Sequence, residues 1–192
     1  MAGHLDDTVG HLAHNVLGAA ADYEQAERDL SAAYGADPAP PAWEAGARKA
    51  KRRAAELAVA IDGLTDRAAI GLGASKTAVR TRVSALCAAR PGAFDRVWAA
   101  ANAYKHKDLT DPRMVVASDD DVLVVGLGYG LDGFGVGKFG GIEVIVRDRT
   151  GTSWKFLGDV PAVIGAWFRF LAAEGAVLPD GPVVVCGLQV HP

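Results

Sequence analysis

Hydrophobic residues in the first 110 positions recur every three or four residues, the spacing of the buried face of a helix. This pattern predicts helices over about 6–33 and 43–68. Ser75 is the predicted N-cap of a third helix, and a fourth begins after Pro91-Gly92. The predicted inner positions include Leu12, Val16, Tyr23, Leu30, Ala54, Leu57, Ile61, Leu64, Val79, Val83, Phe94, Val97 and Trp98. Four helices joined by short connections favour an antiparallel four-helix bundle.

After Asp111-Pro112 the hydrophobic period changes to two, which is typical of strands. The predicted strands are 114–117, 122–125, 142–147, 153–157 and 183–186. A tight turn is predicted at 149–151, and Asp159 is the predicted N-cap of a last helix with Pro161 in its first turn. The fold class is therefore α+β: an N-terminal four-helix bundle (1–110), then a small antiparallel β-sheet with one covering helix (111–192), packed on the bundle.

Composition agrees with this division. Residues 1–113 contain 30 alanines and nine glycines, whereas 114–192 contain six alanines and 14 glycines. Alanine favours helices, and glycine favours turns. We therefore expect the change from helices to strands near residue 111.

The chain has two cysteines, too few for a disulfide framework, and its N-terminus is acidic rather than basic. The most apolar stretch, 160–178, is interrupted by Arg169 and Glu174, so it is not expected to span a membrane. These features predict a cytoplasmic protein with no membrane partner.

Charge is unevenly distributed along the chain. Residues 1–40 contain seven acidic residues and one basic residue, whereas 41–113 contain seven acidic and 14 basic residues. The simplest explanation is that the acidic first helix lies against the basic second and third helices. The formal net charge of −3 does not by itself favour a nucleic-acid partner.

The stretch 126–141 contains eight glycines, and 128–133 matches the pattern Gly-x-Gly-x-x-Gly. No helix is predicted after it, so a dinucleotide pyrophosphate would lack the helix N-terminus that normally binds it. Gly137-Lys138 is followed by Phe139 rather than by the Ser or Thr of a phosphate-binding loop. No cofactor is predicted.

Asp132-Gly133 is a typical hairpin turn and would place glycines on one face of a β-ribbon. A face without side chains allows a ligand, an aromatic ring or another backbone to approach closely. We predict a recognition surface containing Tyr129, Phe134, Lys138 and Phe139. The alternative is that the segment packs against the protein's own rings or is a flexible loop.

The fourth predicted helix ends in Asn102-x-x-Lys105-His106. A histidine held by a neighbour can act in acid–base chemistry, and cations at this position also complement the helix dipole. A helical bundle ending in this motif resembles the HEPN superfamily, whose members are small bundles that often dimerise and act on RNA. The resemblance covers about residues 1–110 and implies an RNA-binding or RNA-cleaving site at Asn102, Lys105 and His106.

HEPN ribonucleases use an arginine that is separated from the histidine by four to six residues, across the dimer. In this chain, positions 99 to 101 before His106 hold alanine, and the nearest preceding arginine is Arg96. This departure from the family's pattern favours RNA binding over cleavage, and the resemblance implies a homodimer.

Two further groups have both a functional and a structural interpretation. A basic run on the second helix is either an RNA-backbone patch or an ordinary solvated face: Arg48, Lys49, Lys51, Arg52 and Arg53. The solvated face is favoured, because no aromatic residues alternate with these cations.

Asp7, His11 and His14 lie on one side of the first predicted helix, at spacings of four and three. Three such ligands can bind zinc when a fourth comes from elsewhere. The sequence offers no obvious fourth His or Cys, so this is the weakest of the candidate sites.

The sequence contains no Gly-x-Ser-x-Gly motif and no cysteine in an activating context. The favoured prediction is therefore a non-catalytic binding or interaction protein, a homodimer with a protein or small-molecule partner. The alternative is an HEPN-like RNA-acting protein that uses Asn102, Lys105 and His106.

Overall fold

A computed structural model describes residues 3–112, 114–126 and 141–192. The helices are α1 (Asp6–His11), α2 (Leu17–Ala36), α3 (Pro40–Leu72), α4 (Lys76–Ala85), α5 (Ala93–His106) and α6 (Phe156–Ala173). The strands are β1 (Val122–Gly126), β2 (Ile142–Arg147), β3 (Ser153–Lys155), β4 (Val183–Val185) and β5 (Leu188–His191). The α+β class predicted from the sequence is confirmed.

The helices of the first half begin and end where local sequence signals place them. A π-helical turn, Leu12–Val16, joins α1 to α2, so these two form the single first helix predicted from the pattern. Pro40 begins α3, whose C-cap is Gly73 in the left-handed conformation at φ 61°. The Ser75 hydroxyl accepts a hydrogen bond from the Ala78 amide at 3.1 Å, which confirms it as the N-cap of α4.

The first sheet is antiparallel, with strand order β1-β2-β3. In its register Val124 pairs with Val144, and Ile145 pairs with Lys155. The β2–β3 turn is stabilised by the Asp148 carboxylate, which accepts the Thr150 and Thr152 amides at 2.9 and 3.0 Å. The predicted tight turn at 149–151 is therefore confirmed.

Two strand predictions need correction. The stretch 114–117 forms no strand. The Arg149 side chain and amide donate to Met114 O and Val115 O, and the Ala117 amide donates to the Asp121 carboxylate instead of to a partner strand. The predicted strand 153–157 ends at Lys155, and Phe156 already begins α6.

Strand β5 was not predicted from the sequence. It pairs with β4 in a separate two-stranded sheet. The two are joined by Cys186 and Gly187, both at positive φ (50° and 76°), as in a tight two-residue hairpin turn. A cysteine is not a typical residue for this turn, so the sequence pattern did not indicate it.

The prediction of Asp159 as an N-cap is wrong. Helix α6 begins at Phe156, its N-cap is Lys155, and Asp159 lies inside the first turns. The Asp159 carboxylate is fully buried and forms ion pairs with Arg90 and Arg96 instead of accepting backbone amides. Asp159 therefore acts as the partner of two arginines from other elements rather than as a helix cap.

Helix α6 lies at the centre of the molecule. It contacts α4, α5, β2, β3 and β5, and it buries Trp167, Phe168 and Phe170. The buried side chains form one hydrophobic cluster that extends from Leu5 to Val185, so both halves of the chain share a core. A separate four-helix bundle stays a prediction, since α6 packs on the helices as well as on the sheet.

Among the described helices, α6 is the one that is long and apolar enough to cross a membrane, with a mean hydropathy of 1.4. However, 67% of this stretch is buried inside the molecule. This burial is typical of the core helix of a soluble protein.

The charge distribution is explained in part by ion pairs between helices. Asp7 pairs with Arg67 of α3, and Asp29 with Lys49, so the acidic first helix lies against the basic second one. The expectation for the third helix is wrong: in α4, Arg80 pairs with Asp62 of α3 and Arg82 with Glu174.

Candidate functional site

A cleft of about 300 Å³ lies beside α6, between that helix, the α4–α5 loop and β5. We call it the α6 cleft. Its described lining residues are Ala89, Arg90, Gly158, Pro161, Ala162, Gly165, Arg169, Leu188, Gln189 and Val190. They include two arginines and no carboxylate, and seven of the ten are alanine, glycine, proline, leucine or valine.

At one end of the α6 cleft, Arg90 is held by a buried ion cluster. Its Nε lies 2.5 Å from Asp159 Oδ1, and Arg96 donates to the same carboxylate at 2.7 and 2.8 Å. The Arg96 guanidinium also stacks over the Trp154 ring, 4.1 Å from its centroid. Charge-assisted hydrogen bonds of this kind set the position of a guanidinium closely.

The second cleft arginine, Arg169, lies on the exposed side of α6. It donates from NH2 to the Leu86 carbonyl at 2.8 Å, which fixes it to the α4–α5 loop. Within the described ranges no carboxylate forms an ion pair with Arg169, so donors of its guanidinium remain for a ligand.

Gly165 leaves space for the Arg169 guanidinium against α6. A Cβ at residue 165 would lie 3.3 Å from Arg169 NH1 and 3.6 Å from the Val190 carbonyl oxygen. Because glycine has no Cβ, the guanidinium can lie close to the helix surface between α6 and β5.

The side chains that line the α6 cleft can bind a ligand through charge, hydrogen bonds and apolar contact. Its described lining has no His, Ser, Thr, Cys, Asp or Glu side chain. The nearest thiol, Cys87, donates to the Ala162 carbonyl at 3.8 Å, and burial raises its pKa to about 11. A thiol that stays protonated near neutral pH is a poor nucleophile.

A second buried polar group lies between α2 and the first sheet. The Glu27 carboxylate accepts the Tyr23 hydroxyl at 2.8 Å and the Val144 amide at 2.9 Å. Strand β3 ends at Lys155, which pairs with Ile145, so β3 does not extend to Val144. The Glu27 carboxylate accepts the Val144 amide there instead of a strand partner. Burial, and then the Glu27 charge, raise the pKa of Tyr23 well above its usual value. This group stabilises the sheet edge.

Asn102, Lys105 and His106 lie in the last turns of α5, at spacings of three and four residues from Asn102. Asn102 donates to the Trp98 carbonyl of its own helix at 2.8 Å, and Lys105 pairs with Asp62 at 2.7 Å. His106 is exposed at the end of α5. Asn102 and Lys105 therefore each have a partner outside the group, and the site itself stays a prediction.

The three metal-ligand candidates have different surroundings. His11 Nε2 lies 2.8 Å from the Ala60 carbonyl oxygen, Asp7 pairs with Arg67, and His14 is exposed. Among the residues that the structure describes, no group of three His, Cys, Asp or Glu side chains could hold a metal ion.

The basic run on α3 has partners along its length. Arg48 and Arg52 pair with Glu44 and Glu56 of the same helix. The remaining members reach other elements: Lys49 pairs with Asp29, Lys51 donates to Asp119 O, and Arg53 pairs with Asp22. These contacts favour the interpretation as a solvated face.

The predicted recognition residues Tyr129, Phe134, Lys138 and Phe139 lie outside the described residues.

Sequence reasoning did not find the α6 cleft. Arg90, Arg169 and Gln189 are far apart in the chain and belong to no motif. One signal was present: Asp159 and Arg169 are charged residues within the long apolar stretch that forms α6. A charge in a buried helix needs a partner, so such residues indicate a tertiary ion pair or a site.

Comparison with known proteins identifies no relative for this arrangement. No protein-family model matches the chain, and no curated protein or solved structure matches it either. The resemblance to HEPN bundles therefore stays a prediction, and the functional argument rests on the geometry of the site.

Proposed function

We propose that this is a non-catalytic binding protein that holds a small anionic ligand in the α6 cleft. The observation that carries the proposal is the charge of the described lining, which contains Arg90 and Arg169 and no carboxylate. An anion bound there meets no acidic side chain in the described lining, and the buried Asp159 carboxylate is outweighed by the positive charges of Arg90 and Arg96.

The two arginines would have different roles. Arg169 has donors left after its bond to the Leu86 carbonyl, so it is the group that would contact the anion directly. Arg90 is already engaged by Asp159 and adds positive potential from a fixed position. A guanidinium held in place before binding loses less conformational entropy when the ligand arrives.

The proposal excludes catalysis at this cleft on chemical grounds. General acid–base and nucleophilic catalysis need a side chain that can transfer a proton or attack, and the described lining supplies none. A cytoplasmic location belongs to the same proposal and is supported by two free cysteines, Cys87 and Cys186.

The experiment is isothermal titration of the purified protein with sodium acetate, sodium hexanoate and inorganic phosphate. We expect saturable binding of at least one anion, weakened roughly tenfold in Arg169→Gln, because a charge-assisted hydrogen bond is lost. The matched control is Arg48→Gln, which removes the same charge from the exposed face of α3. Binding that is absent for all three anions, or equally weakened by both variants, would contradict the proposal.

The HEPN-like alternative has less support from the geometry. An RNA backbone would need Lys105, which instead pairs with Asp62, and the basic run on α3 meets carboxylates and a carbonyl. If RNA binding is nevertheless observed, loss of that binding in His106→Ala would favour the alternative.

A further inference from the structure

We infer that the ligand of the α6 cleft is a carboxylate that carries a short apolar chain. This inference rests on the proposed function and adds the ligand's chemical class. It follows from the arrangement of charged and apolar residues along the cleft.

The number of available cationic donors favours a single negative charge. Arg169 contributes a guanidinium with donors left for a ligand, and Arg90 is engaged by the buried Asp159. A planar carboxylate matches one guanidinium in a two-bond arrangement. A doubly charged phosphate would need further donors to replace its water.

Three small residues of α6 line the cleft floor between Arg169 and Arg90, which pairs with Asp159 beside Gly158. Gly158, Ala162 and Gly165 follow one another at spacings of four and three, so they lie along one face of α6. From Gly165, beside the Arg169 guanidinium, this face continues for about 10 Å to Gly158, at 1.5 Å per residue. No side chain longer than a methyl group stands on these three positions, which leaves room for an apolar chain.

The opposite wall, from β5, contributes the apolar Leu188 and Val190 together with the polar Gln189. Leu188 of β5 lines the cleft with 57% of its surface exposed, so its apolar surface is accessible to a ligand. An apolar chain on the floor would cover Leu188 and remove its surface from water. The carboxylate at Arg169 and the chain between α6 and β5 together match the charge and polarity of the cleft.

The test is a titration series with acetate, butyrate and hexanoate under one set of conditions. We expect hexanoate to bind at least tenfold more tightly than acetate, because each buried methylene adds to the free energy of binding. Ala162→Leu fills the floor, so it should remove this gain while acetate still binds as in the wild type. The control is Ala172→Leu, an exposed position of α6 outside the cleft.

A second variant covers the case in which Ala162→Leu does not fold. Leu188→Gln changes an exposed side chain and should also reduce the gain from chain length. Equal affinity for acetate and hexanoate, or a full gain retained in both variants, would overturn the inference. If binding depends on Arg169 but not on chain length, the inference alone fails. If no anion binds through Arg169, the proposed function itself fails.

Discussion

Asp159 shows how a single buried carboxylate can organise several elements. It accepts hydrogen bonds from Arg90 in the α4–α5 loop and from Arg96 in α5, and it belongs to α6 itself. Charges removed from water are tolerated only when they are paired and hydrogen-bonded. The position of Arg90 in the α6 cleft therefore depends on a residue that does not line it.

The first prediction concerns this carboxylate. Asp159→Asn leaves two guanidiniums near a neutral side chain, so we expect a loss of about 3–5 kcal/mol in the free energy of unfolding. Urea denaturation, monitored by circular dichroism, measures this change in the free energy of unfolding. Glu44→Gln, which breaks an exposed pair with Arg48, is the control and should change stability little. If Asp159→Asn lowers the free energy of unfolding no more than Glu44→Gln does, the ion pairs of Asp159 with Arg90 and Arg96 are not essential for stability.

The second prediction concerns the thiols. Burial raises the pKa of Cys87 to about 11 and that of Cys186 to about 12. Near pH 8 only about one Cys87 thiol in a thousand is ionised, and alkylation requires the thiolate. We expect iodoacetamide to label the folded protein slowly and to label both cysteines rapidly in denaturant. Mass spectrometry counts the added groups, and fast labelling of the folded protein would contradict these pKa values.

At the scale of elements, helices were predictable and the short strands were less so. The ends of α3 and α4 depend on neighbouring residues such as Gly73 and Ser75, whose backbone and side chain act within one turn. The stretch 114–117 has a strand-like pattern, yet two of its carbonyl groups accept from Arg149 and it belongs to no strand. Strand formation needs a partner that the sequence pattern does not specify.

The third prediction tests a helix end. Gly73→Ala places a Cβ on a residue at φ 61°, and we expect a loss of about 1 kcal/mol in stability. The matched control is Gly18→Ala in α2, where a Cβ meets no atom within 4 Å. That substitution should stabilise the protein by roughly 0.5–1 kcal/mol, because alanine favours the helix. Thermal denaturation compares the two, and equal effects would contradict the role of Gly73 as a cap.

At the scale of the whole molecule, α6 joins the two halves that differ in composition. Its Trp167 and Phe168 are buried in the same cluster as Leu57 of α3. A shared core links the stability of the helices to that of the sheet.

The fourth prediction is a single unfolding transition. Far-ultraviolet circular dichroism reports on the helices of the first half, and tryptophan fluorescence reports partly on Trp154 and Trp167 in the second. We expect the two signals to change at the same denaturant concentration, since the core is continuous. Two separated midpoints would show that 1–110 and 111–192 unfold as independent domains.

The predicted homodimer is a question of the same scale and stays a prediction. Native mass spectrometry should give twice the chain mass of 19.9 kDa if the protein dimerises. A species at 19.9 kDa across the accessible concentration range would exclude the dimer and weaken the resemblance to HEPN bundles.

The sequence alone determined the helical first half, most of its core positions and the Ser75 N-cap, together with the α+β class. Period and capping are local properties, because the groups involved lie within one or two turns of each other. Only the tertiary structure decided the role of Asp159 and the existence of the α6 cleft. Arg90 meets a carboxylate 69 positions away, and Arg169 a carbonyl 83 positions away. Such contacts depend on how whole elements pack, and no local pattern in the chain specifies them.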